Sequence, residues 1–452
     1  MSEANLENRL EILKGKLEGT LEGPQRLKDR LDKLTLRPEL WEAIDEALSG
    51  AIRPLLIRVG NAREMLATAR GQDEESARAT VREAWDEYTK MLEDSREVVE
   101  ECMALLGGLS MRDEGLDEEF LEVADELIQA CSRTSIARPW QSVTIPAPHE
   151  TLSKTIARVI RMPFPEWSIW TLPFTAREYG YVLIKEKEPL RDLVDEQAQL
   201  LVAKEFHVRA RPPGLAEEAA QEHARNQVRA HVADASATYM IGPAYACAAT
   251  MLRFNPARAF VETDSTPADA KRTHLIFNIL ERMNQKAKAA SSAAPYSRVL
   301  GRLRTEWERM LQQASPSESL DGDEKSYLDE LADRIWKVLE GGTLRSSAAY
   351  TPRGTYQGWN KATEWHEEWS RQLRERKELK VSAGETNTLR DVLNAAWLCR
   401  IENEATFARD IDRAARATCE QIIAASSTAA VQRGETRFRA GKVTQPASPR
   451  PS

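Results

Sequence analysis

The chain has 452 residues, 42% of them hydrophobic and 30% charged, with 63 basic against 71 acidic side chains and a formal net charge of −8. That length accommodates two or three domains of roughly 100–200 residues each, and that apolar share fills a large core. A mildly acidic chain offers nucleic acid no general phosphate-binding surface. Long segments rich in Ala, Leu, Glu, Arg and Lys favour helix over sheet, so the expected fold is mainly α-helical.

Residues 1–135 read as an N-terminal helical bundle. Leu6, Leu10, Leu13, Leu17 and Leu21 share one helical face, and Gly23-Pro24 breaks that helix. A short helix carrying Leu27, Leu31 and Leu34 follows. The next runs from Glu39 to about Arg70, with Trp41, Ile44, Leu48, Ile52 and Leu55 inward. Another starts near Glu75 and turns Val81, Trp85, Tyr88, Leu92, Val99 and Met103 inward, and Gly107-Gly108 is expected to end it. Asp117 to Cys131 makes one more. Residues 71–130 carry 19 Asp and Glu against 5 Lys and Arg, which suits either a solvated helical face or a docking surface for a basic partner.

Residues 136–287 form a central region. Its first part is rich in Pro and holds Trp140, Trp167 and Trp170, which reads as a loop-rich wall with one strand candidate, Val143-Thr144-Ile145. Helices follow near Ala176, from Leu190 to Phe206, and from Leu215 towards Ile241, where Gly242-Pro243 should kink or end the last. Ala235 to Leu252 is uncharged and long enough to test as a membrane span. Its many Ala residues, Ser236, Thr238, Thr250 and the Gly-Pro pair favour a buried core helix instead. A helix from Ala268 to Ala287 closes the region.

Residues 288–439 are again helical: Tyr296 to Gln313, Glu324 to Leu339, Asn360 to Lys377 and Thr388 to Ile423, separated by linkers rich in Ser, Gly and Thr. Trp365 and Trp369 lie one turn apart, a spacing that favours core packing over a ligand cage. Residues 440–452 read as a disordered tail. The five cysteines, Cys102, Cys131, Cys247, Cys399 and Cys419, form no CxxC pair and suit reduced thiols. With a polar, acidic start from Met1 to Glu11, the expectation is a soluble, cytoplasmic protein.

Zinc peptidases of the HExxH type place two histidines four residues apart on one helix, with the intervening Glu as general base. No HExxH is present. Leu172-Pro173-Phe174-Thr175-Ala176-Arg177-Glu178-Tyr179-Gly180-Tyr181 nonetheless resembles the active helix of zincin peptidases, with Arg177 and Tyr181 at the histidine positions and Glu178 at that of the base. Ala230-His231-Val232-Ala233-Asp234 resembles the E-x-x-A-D motif of gluzincins of the HtpX and CAAX prenyl-protease group. In that family the Glu binds zinc and the Asp orients a ligand histidine; here Ala230 replaces the Glu, and Ala233 and Asp234 match. His231 lies one residue past the ligand position, about 100° around a helix. Thr266-Pro267-Ala268-Asp269-Ala270-Lys271-Arg272 is similar to the downstream H-P-P-x-x-x-R element, with Thr266 at the His position and Pro267 and Arg272 in register.

The resemblance implies a zincin-like helical core with little or no sheet over residues 136–287, and its departures imply a lost metal site. Guanidinium cannot ligate zinc, Tyr is a poor substitute for imidazole, and Ala offers no donor. The expectation is therefore no cofactor, no confident catalytic residue beyond a vestigial Glu178, and an ion pair of Arg177 with Asp234 where the family holds a dication. The plainer alternative leaves Arg177 on an exposed helix face. A rearranged metal site of Glu178, His231 and Asp234 is the enzymatic alternative, with His223 and Gln227 on the same face of the helix as His231. His149, His207 and His274 show no ligand spacing, and His366 begins an HExxH-like string without its second His. The function these readings favour is a non-enzymatic interaction or scaffold protein with protein partners, no nucleic acid and no membrane; a metal-dependent hydrolase and a helical assembly protein without peptidase ancestry are the alternatives.

Overall fold

The computed structural model describes residues 38–69, 74–115, 118–135, 143–147, 159–163, 168–203, 217–263, 265–291, 294–341, 354–379, 388–403 and 405–432, with isolated helical positions between 12 and 29. Most of the two expected helices before residue 35, Trp140, His149, Trp167, His207 and the tail 440–452 lie outside the described residues. Thirteen α-helices and one two-stranded sheet are present among the described residues, so the fold is mainly α.

Helix α1 (Pro38–Ala69) lies along α2 (Glu74–Asp113). Val59, Ala62 and Leu66 pack there against Val81, Ala84 and Met91 as one apolar seam. Arg58 on α1 pairs with Glu87 at 2.6 Å and with Asp94, so part of the acidity of the 71–130 stretch is neutralised within the bundle. Trp85 and Met103, expected inward, are instead 41% and 60% exposed. The buried stripe runs through Ala77, Ala84, Met91, Val98 and Leu105, a seven-residue period that leaves both of them to one side.

Gly107-Gly108 does not end α2, which continues to Asp113. The glycine serves a crossing instead. A Cβ on Gly108 would stand 2.5 Å from the Pro146 carbonyl oxygen and 2.9 Å from the Ile145 Cδ1. Those residues belong to β1 (Val143–Ala147), which pairs in parallel with β2 (Val159–Pro163), Val143 opposite Val159. The strand candidate was legible; β2 was not. Helix α3 (Glu118–Thr134) pins β1 through Asp125, which accepts from the Thr144 N–H at 2.7 Å and from Arg112 at 2.6 Å.

The core is organised around α6 (Glu217–Ile241), with α4 (Pro173–Glu186) and α5 (Glu188–Ala203) against it. Every residue from Ala230 to Thr250 is buried, which accounts for most of the uncharged run from Ala235 to Leu252. No helix of the described residues is long and apolar enough to span a membrane. Gly242, at φ +80°, and Pro243 break the run, and α7 (Pro243–Ala248) resumes it before a wider turn over Ala249–Arg253. A proline break frees backbone groups. Asn394 takes up two of them, donating to the Ile241 carbonyl at 2.7 Å and accepting from the Ala244 N–H at 2.8 Å.

Helices α8 (Asp269–Ser291), α9 (Ser297–Ala314), α10 (Gly322–Glu340) and α11 (Trp359–Arg374) complete the shell. The expected single helix over 388–423 is two, α12 (Leu389–Glu402) and α13 (Ala408–Gln432), parted by an extended Asn403 whose side chain caps the Cys399 carbonyl at 2.8 Å. Trp369 is 1% exposed and stacks on Trp365 with ring centroids 6.1 Å apart, so that pair is core. One buried cluster runs from Phe120 to Ile422 and takes side chains from both sides of residue 287.

Helices α4 and α6 meet at Gly180 and Ala233. A Cβ on Gly180 would lie 3.0 Å from both the Cα and the carbonyl oxygen of Ala233. Backbone cannot swing aside as a side chain can, so Gly180→Ala should destabilise by about 1–3 kcal/mol in urea unfolding. Gly301 sits in α9 with nothing within 4 Å of the same position, and Gly301→Ala should stabilise by about 0.5–1 kcal/mol. Equal effects at the two sites would contradict the close crossing.

Candidate functional site

The crossing brings three charged side chains together in the interior. Arg177 on α4 is 0% exposed, which removes the exposed-helix alternative. Its Nε donates to Asp234 Oδ1 at 2.8 Å, and Asp234 on α6 is also 0% exposed. Arg272 on α8, 4% exposed, grips the same carboxylate twice, Nε to Oδ2 at 2.7 Å and an Nη to Oδ1 at 3.1 Å. The Tyr245 hydroxyl of α7 donates to Oδ1 as well. Asp234 therefore ties four helices through one carboxylate.

The remaining donors are also engaged. An Nη of Arg177 donates to the Tyr181 hydroxyl at 2.8 Å, and its guanidinium lies 5.0 Å from the Tyr181 ring centroid. Glu178 approaches Arg177 at 3.4 Å and Asp269 approaches Arg272 at 3.3 Å, both carboxylates partly reaching solvent. Arg272 also covers the Phe254 ring at 4.5 Å. Each buried guanidinium thus meets the buried Asp234 and one carboxylate at the solvent edge, and such pairing is the condition for keeping these charges buried.

Local electrostatics agree with the geometry. Burial alone would push the Asp234 carboxyl up, but Arg272 and Arg177 outweigh it and hold it well below the usual carboxylate range. Burial likewise opposes the charge on Arg177, and its ring of acceptors keeps it protonated. Burial, then Asp234, pushes Tyr245 well above its ordinary value, so it stays a donor.

Of the residues singled out from the sequence, Arg177, Glu178, Tyr181, Asp234 and Arg272 meet in this cluster. Ala230 is buried one turn away on α6 and contributes no polar group. Thr266 closes a turn with Thr263 at 2.8 Å, ahead of α8. His231 is 3% exposed and lines a neighbouring cavity with Gln227 and Lys271. Its Nδ1 has no hydrogen-bond partner, and burial lowers its pKa to about 3.

Among the described residues no three His, Cys, Asp or Glu side chains are grouped to hold a metal ion. Glu178, His231 and Asp234 thus do not form the ligand set of the hydrolase alternative. The reason is the competition for Asp234, whose two oxygens are occupied by guanidinium and hydroxyl donors. Elsewhere, His274 pairs with Asp329 at 2.8 Å and His366 with Glu402 at 2.9 Å. Sequence reasoning missed Tyr245 and Asp269. Asp269 carried a signal, lying one helical turn before Arg272; Tyr245, inside an uncharged run, carried none.

Comparison with protein-family models, with curated proteins and with solved structures gives no match for this chain.

Asp234→Asn removes the shared counter-ion of two buried guanidiniums and should cost about 3–5 kcal/mol in urea unfolding. Because the folded carboxyl is depressed, its stabilisation is complete above the unfolded value of about 4 and is lost as the pH falls below it. That part of the acid limb should be missing in Asp234→Asn. His231 acts in a higher window. Its unfolded ring takes a proton below about 6.5 while the folded ring resists until about 3, so stability falls as the pH drops between those values. His231→Phe should flatten that segment, and an unchanged slope from pH 6.5 to 4 would contradict the buried neutral ring.

Proposed function

We propose that this chain is a non-enzymatic interaction or scaffold protein whose core keeps a peptidase-like helix crossing and fills the metal position with an internal ion cluster. The observation that carries the reading is the Arg177–Asp234–Arg272 arrangement, in which side-chain cations take every oxygen of the carboxylate at the crossing. The reading requires those two helices to cross, and Gly180 against Ala233 supports it.

Protein partners are the proposed ligands. Support comes from apolar side chains left in water on the N-terminal pair of helices: Leu56 and Ile57 are 51% and 57% exposed, and Met103 is 60% exposed. The same pair of helices exposes Glu83, Asp86, Glu93 and Glu100, a composition suited to a partner with basic and apolar groups. A reducing cytoplasm is the proposed setting, supported by Cys131, Cys247, Cys399 and Cys419, all buried and unbridged.

Elemental analysis and a peptide-hydrolysis assay on the purified chain test the first half of the proposal. The expected result is less than stoichiometric zinc and no hydrolysis. Zinc bound one to one and lost in His231→Ala, or a peptidase activity abolished by Glu178→Gln, would overturn it. Proximity labelling tests the second half. Partners marked by the wild type should be lost in Leu56→Lys/Ile57→Lys with a native circular dichroism spectrum, and an identical set of partners would contradict the assigned face.

A further inference from the structure

Beside the ion cluster, two buried polar atoms on one face of α6 lack hydrogen-bond partners. Gln227 Nε2 donates to the Thr263 carbonyl at 2.7 Å. A carbonyl can only accept, so that bond fixes the amide orientation and leaves Oε1 as a buried acceptor with nothing to receive. His231 follows four residues later, one turn along the same face. Its Nδ1 is likewise buried and unpartnered. Gln227 and His231 are each 3% exposed, and both line the same cavity of about 30 Å3. An unmet buried polar atom is costly; Gln227 Oε1 calls for a donor, and His231 Nδ1 accepts a second in the tautomer that carries its proton on Nε2.

The rim sets the sign of the charge. Lys271 bridges Glu262 at 2.6 Å and Glu324 at 3.1 Å, all three lining the cavity. Two carboxylates against one ammonium leave a net negative rim, which repels anions and favours a cation. A divalent metal lacks its ligands, since the described residues contain no suitable group of three. The cavity is small, which suits a compact head, and Leu201, Pro267 and Leu328 offer an apolar wall to the carbon bonded behind it.

We propose that this cavity is a binding site for a small primary amine, whose ammonium head donates to Gln227 Oε1 and His231 while Glu262 and Glu324 supply the countercharge. An ammonium carries three N–H donors in a water-sized volume, which a potassium ion of similar charge does not. The site stands on residues other than the Arg177–Asp234 pair and depends on neither the peptidase resemblance nor the interaction role.

The test uses the full chain with 15N-labelled histidine and methylammonium chloride at constant ionic strength. A saturable shift of the His231 ring nitrogens is expected, and tetramethylammonium, which has no N–H and is too large, should give none. Gln227→Met keeps the length of the side chain and removes the acceptor; it should weaken binding about tenfold. Equal responses to the two salts, no saturable response, or unchanged affinity in a natively folded Gln227→Met would overturn the proposal. Should that variant not fold, the comparison of the two salts on the wild type decides. A crystal structure grown with methylammonium that shows water only in the cavity also overturns it.

Discussion

The interior of this protein is organised by a single carboxylate shared between two guanidiniums. Asp234 lies where α4, α6, α7 and α8 approach one another, and each of the four helices sends it a donor or carries it. Such an arrangement is a constraint more than a source of stability. Desolvating an Arg–Asp–Arg group costs several kcal/mol per ion, and the attraction repays this only when every donor and acceptor is placed. What the cluster supplies is register: Nε–Oδ distances of 2.7–2.8 Å fix how far α4 and α8 can slide along α6. The close contact of Gly180 with Ala233 sets the same register from the packing side.

The neighbouring features stem from that fixed crossing. From Ala235 onward α6 is surrounded on all sides, so its sequence there is uncharged, and the break at Gly242-Pro243 has to be closed by protein groups instead of water. Asn394 and Arg390 from α12 do so, the latter donating to the Met240 carbonyl at 3.1 Å. The C-terminal helices are thereby tied to the central one by hydrogen bonds as well as by the tryptophan contacts. Trp170 and Trp397 meet at 5.2 Å under Arg400, and Asp412 accepts from the Ile169 N–H at 2.8 Å.

Much of the helical content was legible because it rests on local signals: three- and four-residue apolar steps and Gly-Pro punctuation. The cluster was partly legible for a different reason. The resemblance to zincin motifs set Arg177 and Asp234 at one position, and a buried guanidinium there needs a paired carboxylate. What the sequence withheld is tertiary. Gly107-Gly108 looks like a stop signal, yet its lack of side chains serves the passage of β1 across a continuing helix. The strand β2 pairs with a β1 that α2 and α3 hold through Arg112 and Asp125, contacts no local pattern announces. Tyr245 gave no sign of its role because hydroxyl direction is not written in periodicity. His231 shares a helix face with His223 and Gln227, which left a rearranged metal site open in the sequence, whereas its surroundings keep it neutral beside a cavity.

The claim that most of this depends on is that Arg177 and Asp234 act as one energetic unit at the helix crossing. A double-mutant cycle with Arg177→Leu, Asp234→Asn and the double variant, followed by urea unfolding, measures it directly. The pair should be strongly non-additive, with a coupling of about 2–3 kcal/mol, because each single change strands a buried partner. Additivity within about 0.5 kcal/mol would show that the two side chains are independent, and the ion cluster would no longer explain the architecture.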